Sequence, residues 1–292
     1  LSSPRQETPR QQAATLAARL PELVVAARRL AHSLLHGVHG RRRAGAGETF
    51  WQFRPFASGE PANRIDWRRS ARGAYAFVRE REWEGAQTVW LWFDRSATMD
   101  FRSEMAIQSK RDRAAVLTLA LADLAVRGGE RVGLMGLTRP LAARDVIDRF
   151  AQALATPGPA PEPLPPRTAL GARAKIVLIG DFLEPPEEIE ARFAALAGEG
   201  VEGHVLMVAD PIEETFPFDG AVDFLDIAGA PKWRAPRAEN LRRDYQARLA
   251  AQRAAVEAAA RTGGWDFALH RTDSSAASAL LALHARLEQA AA

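Results

Sequence analysis

Three short apolar runs, each closed by an aspartate, constrain this chain more than any other feature. They are "TVWLWFD" ending at Asp94, "KIVLIGD" ending at Asp181 and "VLMVAD" ending at Asp210. None alternates apolar with polar residues. A strand that is apolar on both faces must be covered on both faces, which is the habit of parallel sheets. Helix-period segments alternate with these runs, at 104–127, 143–154, 187–199, 238–261 and 276–289. Further strands are expected at 131–137, 221–227 and 265–272. With right-handed crossovers, this order predicts an α/β fold built on a doubly wound, mostly parallel Rossmann-like sheet.

In such sheets the ligand site lies outside the carboxyl ends of the strands, where the strand order reverses. Asp94 and Asp181 each follow the last apolar residue of a strand, so both are expected to reach one crevice. Asp210 precedes Pro211 and reads as a turn acid. Ser96 and Thr98 follow Asp94 at alternate positions. A carboxylate with two hydroxyls suits a hard cation, Mg²⁺ or Mn²⁺, which takes oxygen ligands and keeps some of its water. The plainer alternative is that Asp94, Ser96, Thr98 and Asp181 cap the helices that follow, through backbone N–H groups.

Upstream, the chain divides into a polar segment with an amphipathic helix (1–45), an aromatic- and arginine-rich segment (46–87) and the α/β domain (88–292). Leu16, Leu20, Leu23, Ala27, Leu30 and Leu34 form one apolar stripe over a helix at 13–39. The stripe is a packing face or, beside the arginines at 41–43, a contact for an acidic membrane surface. His32, His36 and His39 share one helical face, which reads as solvated. "AYAFVREREWE" (74–84) reads as a strand hairpinned to the next one through Gly85. In "RIDWRRSAR" (64–72), Asp66 beside Trp67 is expected to be buried and paired with Arg54, Arg64 or Arg72, because a buried acid needs a partner. Otherwise these arginines form a partner-docking patch.

Absences narrow the function. The chain has no cysteine, which excludes disulfides, thiolate metal sites and cysteine nucleophiles. Thirty-nine basic residues against 36 acidic ones give a net charge of only +3, unlike a dedicated nucleic-acid binder. No run reaches the ~18 uncharged apolar residues of a membrane helix, and no secretory signal pattern is present. A cytoplasmic location is expected. The first residue is Leu1, so an upstream anchor stays open. There is no phosphate-binding loop signature, no H-E-x-x-H and no G-x-S-x-G.

Two resemblances sharpen this reading. "DRSAT" (94–98) resembles the D-x-S-x-S metal-ion-dependent adhesion motif of von Willebrand factor A domains, with Thr98 in the last position. "LIGDF" resembles the later strand whose acid completes that site. The resemblance implies a further threonine ligand, for which Thr168 in "PPRTALG" is the candidate, with Thr156 behind it. The segment from Gly47 to Glu84 is similar to the signature of the bacterial domain of unknown function 58 family. It carries Phe50-Trp51, Arg54-Pro55, Gly59-Glu60, Arg64-Ile65-Asp66-Trp67 and Ser70-Ala71-Arg72 in that order. The likeness runs through about residues 45 to 290. It implies a von Willebrand factor A-like module with no established enzymatic activity, working with a MoxR-type AAA+ ATPase. The expected function is therefore a non-enzymatic interaction module that binds an acidic side chain through a divalent metal. The alternative is a Mg²⁺-dependent phosphohydrolase using Asp94, which lacks the second acid expected where Ser96 stands.

Overall fold

The computed structural model describes residues 9–38, 50–57, 65–71, 75–81, 87–157, 160–171, 173–225 and 233–289. The chain forms two compact units. Helix α1 (Pro9–Val38) belongs with the segment from residue 87 onward, and residues 37–86 form the other unit.

The smaller unit pairs β1 (Phe50–Pro55) antiparallel with β2 (Phe77–Arg81), with the one-turn helix α2 (Trp67–Ser70) between them in sequence. The hairpin expected between β2 and the following strand is therefore replaced by pairing with β1. Asp66 Oδ1 accepts from the Arg69 N–H at 3.0 Å and caps α2. Ser70 Oγ donates to Asp66 O and accepts from the Phe77 N–H, tying the helix to β2. Trp67 is 65% exposed, contrary to the burial expected of it. It opens a helix of one turn, too short to offer an apolar stripe. Asp66 is half-buried and spent on a helix end. The side chains of Arg54, Arg64 and Arg72, its expected partners, lie outside the described residues.

In the larger unit, β3 (Thr88–Phe93), β4 (Arg131–Leu134), β5 (Lys175–Gly180), β6 (Glu202–Ala209) and β9 (Asp266–Arg271) form one parallel sheet. Its spatial order is β4-β3-β5-β6-β9. Leu141 adds an antiparallel bridge to Val132 on β4. The continuous apolar runs serve both faces. Val89, Leu91 and Phe93 face the core formed with α1, α3 (Lys110–Arg127), α4 (Val146–Ala155) and α8 (Ala276–Gln289). Trp90 and Trp92 face the core formed with α5 (Pro186–Ala197) and α7 (Arg242–Thr262). Between β6 and α7 lie the short helix α6 (Pro211–Thr215) and the hairpin of β7 (Val222–Phe224) with β8 (Trp233–Ala235). Leu20, Leu23, Ala27 and Ala31 of α1 are buried in the first core, so its stripe is a packing face. His32 is exposed; the side chains of His36 and His39 lie outside the described residues. Among the described residues, no helix is long and apolar enough to cross a membrane.

Helix α3 starts at Lys110 rather than at 104. Ser109 Oγ accepts from the Asp112 N–H at 3.1 Å and caps it there, so 101–109 remains a loop. Its first four residues, Lys110, Arg111, Asp112 and Arg113, are all charged and all buried. Each has a distant partner, as a buried charge must. Asp112 meets Arg19 of α1. Arg111 pairs with Asp100 at 2.8 Å and donates to the Arg95 and Ser96 carbonyls. Arg113 donates to Ser274 O at 2.7 Å, Thr272 O at 2.8 Å and His270 Nε2 at 3.1 Å.

Burial, then the Arg113 guanidinium, pushes His270 down to about 4. The fold therefore prefers the neutral ring. The stability this represents is present above the unfolded value, about 6.5, and is lost as pH falls toward 4, a change of about 3 kcal/mol. We expect His270→Gln to remove that loss. Urea melts between pH 7 and pH 4 should show the parent losing about 3 kcal/mol more than the variant; parallel curves would contradict it.

Candidate functional site

The strand order reverses between β3 and β5, so the crevice outside their carboxyl ends is where a ligand is expected. Asp94 and Asp181 stand there. The Asp94 N–H donates to Ile179 O at 2.8 Å, extending the ladder to the last turn of both strands. A Cβ on Gly180 would lie 3.2 Å from the Asp94 Cβ, so the absence of a side chain at 180 leaves room for the acid.

Asp94 is fully buried. Its Oδ1 accepts from the Ser96 N–H at 2.7 Å and its Oδ2 from Ser96 Oγ at 3.0 Å. Ser96 Oγ and Thr98 Oγ1 are 2.9 Å apart. The 3-10 turn Ala97–Asp100 brings the second hydroxyl back toward the first. The three residues thus form one oxygen-lined corner, as their spacing predicts. Ser96 precedes that turn without a side-chain capping bond, so capping does not account for its hydroxyl.

Asp181 is buried, with Oδ2 accepting from Lys110 Nζ at 2.9 Å. Its Oδ1 is buried with no hydrogen-bond partner among the described residues. The next residue, Phe182, has φ 47° and a fully buried ring between Trp92 and Phe193. A left-handed backbone at a bulky residue is strained, and here the packed ring holds it. Glu184, on the same loop, also has a buried carboxylate oxygen without a hydrogen-bond partner among the described residues.

This corner is rich in negative charge. Burial, then the Asp181 carboxylate, raises Asp94 to about 7 against the lowering effect of its Ser96 bonds. Glu184 is likewise raised to about 7, by burial first and then by Asp181 and Glu188. Neighbouring negative charge disfavours the ionisation of Asp94 and Glu184 because water is excluded.

Other expectations fare differently. Thr168 is partly exposed in the segment 160–171 and makes no hydrogen bond to Asp94, Ser96, Thr98 or Asp181. Thr156 closes α4 by donating to Gln152 O. Asp210 caps α6: its Oδ1 accepts from the Ile212 N–H, and Glu213 Oε2 accepts from the Asp210 N–H. Its Oδ2 accepts from the Ser103 N–H, tying the β6 end to the loop behind Asp94. Sequence reasoning passed over Glu184, Lys110 and Glu213. Only Glu184 carried a signal, three residues past Asp181 on the same loop.

Among the described residues, no group of three or more His, Cys, Asp or Glu side chains is gathered to hold a metal. A cation at this corner would rest on one or two carboxylates, two hydroxyls and water. That donor set fits Mg²⁺, which keeps several waters and binds through few carboxylates.

The family model described as protein of unknown function DUF58 matches residues 52–255. The chain belongs to that family. Uncharacterized proteins of Mycobacterium tuberculosis (Rv1480) and Mycobacterium bovis (Mb1516) are each 29% identical over 280 residues, covering 88% of this chain and 85% of theirs. Among solved structures, the conserved hypothetical protein BatB of Bacteroides thetaiotaomicron aligns with 17% identity and a TM-score of 0.43, over 70% of this chain and 99% of that one. An aerotolerance-related membrane protein of Bacteroides fragilis aligns with 18% identity and the same TM-score, over 70% of this chain and all of that one.

Proposed function

We propose that this DUF58 chain is a cation-dependent protein-interaction module of the von Willebrand factor A kind. Asp94, Ser96 and Thr98 would hold Mg²⁺ or Mn²⁺, with Asp181 Oδ1 on the neighbouring loop. The observation that carries the reading is the buried Asp181 Oδ1, without a partner among the described residues, beside a buried Asp94 raised to about 7. Buried acids without enough counter-charge are costly, and a divalent cation relieves that cost. A bound cation of this type supplies an open coordination position for an acidic side chain of the partner.

The rim supports a protein as that partner. Leu137, Met105, Ile107 and Leu183 stand exposed on the loops that follow β4, β3 and β5, with Ile107 at 83%. Exposed apolar side chains around a polar centre suit docking of another protein surface. We assign the partner to the MoxR-type AAA+ ATPases, in assembly or maturation of a protein complex, as the family resemblance implies, and we assign the action to the cytoplasm. The phosphohydrolase reading fits less well. A nucleophilic carboxylate must be reached by its substrate, whereas both Asp94 oxygens are held by Ser96 and the side chain is fully buried.

The test has two arms. Calorimetric titration of Mn²⁺ into metal-free protein is expected to show one site, lost in Asp181→Asn. The protein should also retain the candidate ATPase in a pull-down with Mg²⁺ and release it in EDTA. Absence of Mn²⁺ binding would overturn the metal site. Retention that ignores EDTA would move the contact elsewhere.

A further inference from the structure

Lys110 opens α3, and its side chain is 1% exposed. The ammonium lies 2.9 Å from Asp181 Oδ2 and 2.6 Å from Glu213 Oε1, and stands 5.9 Å from the centre of the Phe101 ring. Glu213 is held in turn, since its Oε2 accepts from the Asp210 N–H at 2.8 Å. The lysine thus keys together three loops at the carboxyl end of the sheet, those following β3, β5 and β6. A buried pair of this kind has an ordinary structural reading. It also has a chemical consequence at Asp181.

Of the two Asp181 oxygens, Lys110 takes one. Oδ1 alone remains, buried and without a partner among the described residues. The strand ends that carry Asp181 and Asp94 are adjacent, as the Asp94 N–H to Ile179 O bond requires. A cation between them would therefore meet Asp181 through a single oxygen. Coordination number separates the hard cations. Ca²⁺ takes about 6–8 oxygens and binds carboxylates through one or both oxygens, whereas Mg²⁺ demands a tight octahedron and usually keeps several waters.

Resting on the proposed metal site, we propose that Lys110 is its specificity-determining residue. By holding Asp181 Oδ2 and Glu213 Oε1, it limits the carboxylate oxygens on offer and selects a small octahedral cation over Ca²⁺. It acts through Asp181 and is a positioning residue. Removing its charge frees Asp181 Oδ2 for a two-oxygen contact and adds negative potential. Both changes favour the larger ion.

The experiment titrates Mn²⁺ and Ca²⁺ separately into the metal-free full chain by calorimetry. The parent is expected to bind Mn²⁺ more tightly than Ca²⁺. In Lys110→Met the Ca²⁺ affinity is expected to rise about tenfold relative to Mn²⁺, the scale on which outer partners of metal ligands act. Should the Met variant fail to fold, Lys110→Gln, which removes the charge and so adds the same negative potential, must move the ratio in the same direction by a smaller amount. Glu213→Gln leaves Lys110 on Asp181 and is expected to keep the parental ratio. A merely structural lysine would change melting temperature and leave the ratio alone. A parental ratio in a folded Lys110 variant overturns the inference, as does a rise in Glu213→Gln equal to that of the Met variant. A parent that binds neither ion overturns the metal site itself, and this inference with it.

Discussion

Asp94→Asn is expected to make the metal-free protein more stable at pH 8 than its parent. Burial and the neighbouring Asp181 raise the Asp94 carboxyl from 3.8 to about 7 in the fold. A carboxyl with a raised folded value destabilises the fold fully above that value. The penalty fades as pH falls through 7 and is gone near the unfolded value of about 4. Asparagine removes the charge and keeps an oxygen for the Ser96 N–H. The gain at pH 8 should be roughly 2–4 kcal/mol, shrinking to nothing by about pH 4. Urea melts across that range check it. Saturating Mn²⁺ should then reverse the ranking, stabilising the parent and leaving the variant unmoved. A variant less stable than its parent at pH 8 without metal would show that the acid is already compensated. Residues kept for binding commonly weaken the fold that carries them.

The largest loss is expected from Arg113→Met. The methionine fills the space of the stem but carries no donors. The Thr272 and Ser274 carbonyls and His270 Nε2 would all lose a partner, as would Gln108 Oε1 on the loop before α3. Each buried acceptor left without a donor costs about 1–3 kcal/mol, so the loss of several together should reach about 3–5 kcal/mol. Arg113→Lys should recover only part of it, because an ammonium cannot reproduce the planar fork that serves His270, Thr272 and Ser274 together. Chemical denaturation measures both variants. A loss of less than about 1 kcal/mol for the Met variant would contradict the assignment. The effect should reach the crevice, since Gln108 lies on the loop that runs from Asp94 to Lys110.

What the sequence by itself determined is what depends on neighbours along the chain. The runs at 88–94, 175–181 and 203–210 are apolar on both faces, and only a sheet covered on both sides accepts them. Asp94, Ser96 and Thr98 lie within one turn, so their meeting follows from spacing. Asp181 joins them because it ends a strand beside β3, and the rule of strand ends needs no coordinates. The tertiary structure alone decided the rest. "KRDR" at 110–113 is four charged residues in a row, yet all four side chains are buried. Their partners, among them Asp181, Glu213, Arg19 and Thr272, are remote in sequence. Whether a charge can be buried depends on what faces it across the fold, which no local pattern records. Trp67 gives the converse. Its apolar setting suggests burial, but one helical turn offers no face to bury, and the ring stands in solvent. For the same reason the strand at 77–81 could be recognised but not its partner, because pairing is a choice among distant edges. The charge balance around Asp181 is the sharpest case. The acid was legible at its strand end, but the lysine that holds one of its oxygens arrives from another element.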